Sequence, residues 1–206
     1  TVTINDGAQD GATITYVVTV TDTNDESPVF TSSDTINVAE GATAVVTLTS
    51  TDGDAADSGG PTYAIDTNDN NLFSINGAVV TLTNAADFET PGCGSSSNTC
   101  TIVVSATDLN SQVTQQTITV TITDVNDQTP TYTAGDTTPS VAEGTTAVDT
   151  AVAITDTDTG DANVCTLAGS DAALFTCTLT GQTAYSLAFT NAPDFETDAS
   201  TDGDGD

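Results

Sequence analysis

The chain has 206 residues, 30 of them acidic, with no Lys, Arg or His, and its formal charge is -30. Contact with phosphate and attachment to anionic lipid both depend on cationic side chains, so this composition excludes nucleic-acid binding and polybasic docking to membranes. High acidity also marks disordered chains, but 36% apolar residues arranged in alternating runs of Val, Ile and Thr point to a buried core.

Residues 2–6 alternate, Gly7 and Gly11 mark a turn, and residues 14–20 alternate again, which predicts a β-hairpin. It ends at Asp22-Thr23-Asn24-Asp25-Glu26-Ser27-Pro28. A short strand is expected at Val29 and Phe30, then an extended segment from Ile36 to Glu40 that stops at Gly41. Strands follow over 43–50, 62–65, 72–75 and 78–82, the last after the hairpin signal Asn76-Gly77. Between them, Asp52 and Asp54 stand two residues apart, which directs both side chains to one side of an extended backbone. Asp87-Phe88-Glu89-Thr90 leads into a polar loop over 91–98. A strand over 101–107 closes on Asp108, and the clearest alternation, 117–123, runs straight into Asp124-Val125-Asn126-Asp127-Gln128-Thr129-Pro130. No stretch keeps a helical period, so the expected fold is all-β.

From Pro130 the order begins again: Tyr132, then Glu143 before Gly144, a strand over 151–155, Asp156 with Asp158, a strand over 164–167, Leu174 and Phe175, and Asp194-Phe195-Glu196-Thr197. A repeat of about 100 residues with about seven short strands matches a Greek-key β-sandwich. The expected organisation is the last two strands of one module in 1–25, a complete module in 26–127, and a module lacking its last two strands in 128–206. The sequence favours a segment of a long tandem array. The alternative is a subunit that donates its first hairpin to the last module of a neighbour and so polymerises head to tail by strand complementation.

The four cysteines fall in two close pairs, Cys93 with Cys100 and Cys165 with Cys177. Disulfide pairing in an oxidising compartment is favoured over free thiols. Zinc is the weaker alternative, because the spacings are not those of a zinc knuckle and no His completes a set.

The linker Asp124 to Pro130 places several oxygens on a short segment stiffened by proline, which suits a hard cation. Around it the chain carries five motifs in order: an acid before a turn (Glu40, Glu143), Asp-x-Asp (Asp52 and Asp54, Asp156 and Asp158), Asp-Phe-Glu (Asp87 and Glu89, Asp194 and Glu196), an acid after the penultimate strand (Asp6, Asp108), and Asp-x-Asn-Asp before Pro. With these motifs the chain resembles the cadherin-type repeats over nearly its whole length. The resemblance implies tandem β-sandwiches with calcium ions, about three per linker, bound between consecutive modules. At the second linker it implies Glu40, Asp87, Glu89, Asp124, Asn126, Asp127, Asp156 and Asp158 as ligands, with the carbonyls of Val125 and Gln128. At the first it implies Asp22, Asn24, Asp25, Asp52, Asp54 and Asp108. Glu143, Asp194 and Glu196 are the upstream half of a further site, and Asp6 the equivalent of Asp108 for the module beyond. The chain has no Trp, so adhesion by exchange of a Trp-bearing strand does not carry over. Cys165 and Cys177 align with Tyr63 and Ile75, which places that pair on neighbouring strands.

The function expected is non-enzymatic: a calcium-stiffened structural segment of an extracellular filament, stalk or large surface adhesin, whose partners are adjacent modules or copies of itself. One alternative is an adhesion module for a partner protein or glycan, for which 5% aromatic residues supply no evident surface. The other is a glycosidase using Asp87 and Glu89 as a carboxylate pair, a reading weakened by the repetition of that pair at Asp194 and Glu196.

Overall fold

The computed structural model describes residues 1–54, 59–160, 162–181 and 183–196. Thr197, the last residue of the second Asp-Phe-Glu-Thr motif, lies outside them. The described chain is built from strands and two three-residue 3-10 turns. Among the described residues no helix is long and apolar enough to cross a membrane.

The strands are β1 (Val2–Asn5), β2 (Asp10–Ile14), β3 (Val29–Phe30), β4 (Thr35–Ala39), β5 (Ala44–Thr47), β6 (Ser50–Thr51), β7 (Thr62–Asn68), β8 (Phe73–Asn76), β9 (Val79–Leu82), β10 (Thr99–Thr107), β11 (Val113–Thr123), β12 (Thr131–Ala134), β13 (Ala147–Thr155), β14 (Phe175–Leu179) and β15 (Ala184–Phe189). They fall into two compact units. One holds Thr1–Val38, Ala42–Ala85 and Gly92–Thr121; the other holds Ala39–Gly41, Ala86–Pro91 and Ile122–Asp206.

The first unit contains a two-sheet sandwich. One sheet runs β4-β11-β10-β7, and facing it are β5-β9-β8 and the short pair β3-β6. Period-2 alternation sets what is inside: Ile102, Val104, Ala106, Ile118 and Val120 from the first sheet, with Leu48, Phe73, Val80 and Leu82 from the other, are all buried. The long antiparallel pair β10–β11 stays in register from Thr99 opposite Thr121 to Thr107 opposite Val113. The same unit includes the hairpin β1–β2, paired only with itself.

The second unit has one sheet, in the order β12-β13-β15-β14. Phe175 begins β14 after a 3-10 turn over Ala172–Leu174, as Phe73 begins β8 after a turn over Asp69–Asn71. By this correspondence β12 to β15 repeat, as one sheet, the layer formed by the pair β3-β6 and the sheet β5-β9-β8. Among the described residues nothing in this unit repeats the other sheet. Consequently all six residues of β15 are only half-buried, whereas Val80 and Leu82 of β9 are buried.

Three sequence expectations differ from the structure. The strand expected over 164–167 does not form; its counterpart β7 is held by pairing with β10, and among the described residues no strand pairs with this segment. The strand expected over 14–20 is displaced, because β2 ends at Ile14 and residues 15–20 have no strand alongside. Conversely, β15 was not anticipated: it follows Gly181 (φ 77) rather than an Asn-Gly pair, and its small and aromatic residues do not alternate by polarity.

Candidate metal centre

The second linker's acids lie within one unit. β4 ends at Ala39, and Gly41, at φ 75, supplies the left-handed turn that stops it; Gly144 repeats this after Glu143 at φ 76. The N–H of Glu40 donates to the Thr123 carbonyl (3.0 Å) and that of Gly41 to the Ala86 carbonyl (2.9 Å). This places the buried Glu40 carboxylate between two chain segments. Its Oε2 accepts from the N–H of Phe88 (2.8 Å) and its Oε1 from the N–H of Val125 (2.7 Å).

Around Glu40 the other acids converge. Glu40, Glu89 and Asp124 each bring a carboxylate oxygen to within 4.8 Å of the others, and Glu89, Asp127 and Asp158 do the same. Glu89 therefore belongs to both groups. Asp158 is buried, and its Oδ2 accepts from the N–H of Gln128 (2.8 Å). Its own N–H donates to Oδ1 of Asp156 (3.3 Å), and Gln128 Nε2 donates to Oδ1 of Asp127 (2.6 Å). Thr159, which sequence reading missed, donates both its N–H and its hydroxyl to Asp124 Oδ2. One Thr in a Thr-rich chain carries no signal of that role.

What remains unsatisfied defines the centre. Both oxygens of Glu89, Oδ1 of Asp124 and Oδ1 of Asp158 are buried without a hydrogen-bond partner. Buried polar atoms are ordinarily paired, and two carboxylates about 4 Å apart at an effective dielectric near 20 repel by roughly 4 kcal/mol. Burial raises the Glu89 carboxyl above its ordinary value, and the charges of Glu40, Asp158 and Asp124 push it further. Asp124 is instead held low, chiefly by the Thr159 hydroxyl. The donors are all oxygens and no side-chain cation exists in the chain. Such a set fits a hard divalent ion, and calcium in particular, because calcium accepts 6–8 oxygens at flexible angles.

Of the residues expected at this linker, Asp87 and Asn126 are exposed, and Asp87 stands outside both groups of acids. Asp87 Oδ1 accepts from the N–H of Thr90 (2.9 Å). Asp156 positions Asp158 rather than joining either group. Val125 and Gln128 contribute their N–H groups as described.

The first linker repeats the pattern within its own unit. The N–H of Glu26 donates to Asp54 Oδ2 (2.8 Å), as Gln128 does to Asp158, and the N–H of Asp54 donates to Asp52 Oδ1 (3.0 Å). The Asn24 carbonyl accepts from Asn110 Nδ2 (2.8 Å), and Asp108 Oδ1 accepts from the N–H of Gln112 (2.7 Å). Oδ1 of Asn24, Oδ2 of Asp52 and Oδ2 of Asp108 are buried without partners. Asp22 and Asp25 are exposed. Asp6 is exposed too, and its Oδ1 accepts from the N–H groups of Ala8 and Gln9 (3.0 Å each), which hold its carboxyl low. The Asp-Phe-Glu repeat also recurs in space: Glu143, Asp194 and Glu196 bring oxygens within 4.8 Å of one another, all exposed, with the N–H of Phe195 donating to Glu143 Oε2 (3.3 Å).

Both cysteine pairs are disulfides. Cys93–Cys100 (Cα–Cα 5.0 Å) is buried, and Cys165–Cys177 (Cα–Cα 6.1 Å) joins the sheet to a segment that is not a strand. The expectation that Cys165 sits on a strand beside Cys177 is thereby corrected, for the reason given for residues 164–167.

Residues 34–123 match the sequence profile described as the cadherin domain. No curated protein sequence matches the chain. Among solved structures it is similar to extracellular cadherin domains 1–4 of protocadherin gamma B7, with 25% identity over 85% of this chain and 44% of that one and a TM-score of 0.57. It is also similar to cadherin domains 3–6 of protocadherin gamma B2 (24% identity, 87% and 48% covered, TM-score 0.65) and to the human desmocollin-1 ectodomain (22%, 84% and 35%, 0.64). It spans less than half the length of each. The chain has the cadherin β-sandwich fold, with the sequence match to the cadherin domain confined to residues 34–123.

Proposed function

We propose that this chain is a non-enzymatic structural segment of an extracellular filament, stalk or large surface adhesin, that calcium bound at its linkers stiffens it, and that it joins adjacent modules or copies of itself head to tail. The buried, unpaired oxygens of Glu89, Asp124 and Asp158 carry the reading, since the chain offers no cation to satisfy them. Two disulfides fit an oxidising, extracellular setting. The ligands at the second linker are Glu40, Glu89, Asp124, Asp127 and Asp158, with Asp156, Thr159 and Gln128 holding them in place. Asn24, Asp52, Asp54 and Asp108 do the equivalent at the first, and about three ions per linker follow from the family resemblance.

Ion binding replaces carboxylate repulsion with shared coordination, so segments that repel one another in chelator become one rigid joint. Thermal unfolding in calcium, in magnesium and in chelator tests this. Calcium is expected to raise the melting temperature with micromolar to millimolar affinity, magnesium much less, and small-angle scattering should show a narrower spread of dimensions with calcium. Identical melting in calcium and chelator would end the reading.

A further inference from the structure

The chain reverses between β10 and β11 through residues 108–112. Asp108 organises this turn: its N–H donates to the Gln112 carbonyl (3.1 Å), its carbonyl accepts from the N–H of Ser111 (3.3 Å), and its Oδ1 accepts from the N–H of Gln112 (2.7 Å). Ser111 takes φ 69, a left-handed conformation uncommon for any residue but glycine. Two side chains then leave the turn for the first linker. Asn110 Nδ2 (2.8 Å) and Gln112 Nε2 (3.4 Å) both donate to the Asn24 carbonyl, while Gln112 Oε1 accepts from the Ser27 hydroxyl (3.1 Å). The β10–β11 pair keeps its register to Thr107 opposite Val113 through backbone pairing, so the hairpin needs neither amide.

These contacts decide which oxygen of Asn24 is left for an ion. Its carbonyl takes two donors, whereas its Oδ1 is buried without a partner, as are Oδ2 of Asp52 and Oδ2 of Asp108. Backbone carbonyls and side-chain amide oxygens both serve calcium, so filling the first leaves the second. Asp108 is divided in the same way, with Oδ1 on the Gln112 N–H and Oδ2 unpaired. One turn thus fixes two of the three unsatisfied groups. The donors are also of a suitable kind. A Lys or Arg could hold the same carbonyl but would set a positive charge in the linker, against any cation bound there. Asn and Gln hold it without charge.

Resting on the calcium reading of the linkers, we infer that Asn110 and Gln112 are positioning residues that hold Asn24 with its Oδ1 presented to calcium, and so set the calcium affinity of the first linker. Neither residue touches the ion. They act through Asn24, because a donor fixed before binding loses less freedom when the ion arrives, and groups that orient a metal's ligands carry a large share of its affinity.

The N–H groups of Glu26 and Gln128, which donate to Asp54 and Asp158, report on the two linkers separately in the full chain. In a calcium titration followed by nuclear magnetic resonance, Asn110→Ala combined with Gln112→Leu is expected to raise the midpoint at Glu26 about tenfold and to leave that at Gln128 unchanged. Asn110 is exposed, so Asn110→Ala alone repeats the test with little risk to the fold. Asn24→Ala keeps the backbone carbonyl and removes only the ligand. On that background the same substitutions should still lower melting in chelator, yet leave the Glu26 midpoint where Asn24→Ala alone puts it. Two merely structural hydrogen bonds would instead weaken calcium by the same factor on both backgrounds. An unchanged Glu26 midpoint, or a shift that persists undiminished without the Asn24 side chain, overturns the inference. If Gln128 of the parent responds to calcium and Glu26 does not, the inference falls while the second linker's reading stands; if neither responds, both fall.

Discussion

At the scale of single residues, Glu89 and Glu40 show how similar side chains divide labour. Each oxygen of Glu40 accepts one backbone N–H and keeps a lone pair, so it anchors Phe88 and Val125 while still facing the centre, whereas both oxygens of Glu89 are buried and unpaired. Glu89→Gln removes a charge that its neighbours repel, and its effect should reverse with conditions. In chelator near neutral pH the variant is expected to melt higher than the parent, and in calcium lower, with calcium affinity reduced on the order of tenfold. Paired melting curves and calorimetric titrations measure both. A variant destabilised equally in both conditions would assign Glu89 to packing. The acids were legible in the sequence because their spacing repeats, but their division into ligand and anchor was not. That division depends on which backbone N–H groups lie near: Asp87, two residues before Glu89, is exposed and takes the N–H of Thr90 (2.9 Å). Thr159 was invisible for the same reason, since only the folded position of Asp124 gives its hydroxyl a task.

At the scale of elements, strands with long alternation, β10 and β11 above all, could be read directly, because each presents one face to a core. The failures are of a different kind. Residues 164–167 alternate as β7 does but remain unpaired, since a strand needs a neighbour as well as a pattern. β15 forms without alternation because β13 and β14 flank it on both sides. Across this sheet the rings of Tyr132 on β12 and Tyr185 on β15 meet edge to face at 6.1 Å. Burial, reinforced by the hydrogen bond with Tyr132, pushes the Tyr185 phenol up to about 12 from 10.0. A group whose pKa is raised on folding adds stability that is complete below its unfolded value and lost as pH rises through the folded one. That contribution should accordingly be intact below pH 10 and vanish as pH rises through about 12. With no Lys or Arg in the chain, tyrosines have this window to themselves. Tyr185→Phe should flatten the loss of stability between those limits, as followed by denaturant midpoints and by phenolate absorbance.

At the scale of the whole molecule, thirty negative charges with no positive side chain leave the folded state dependent on its solvent. In chelator, raising monovalent salt from 0.01 to 1 M shortens the Debye length from about 30 to about 3 Å, and the melting temperature should climb steadily across that range. In saturating calcium the same series should be much flatter, because the acids that repel most strongly are then coordinated. A flat response in chelator would mean that the carboxylates cost the fold little. The linkers show why charge density concentrates where it does: Asp54 and Asp158 each take the N–H of the residue that follows their linker's last aspartate, at 2.8 Å in both copies. The backbone has thus shaped the site before any ion arrives.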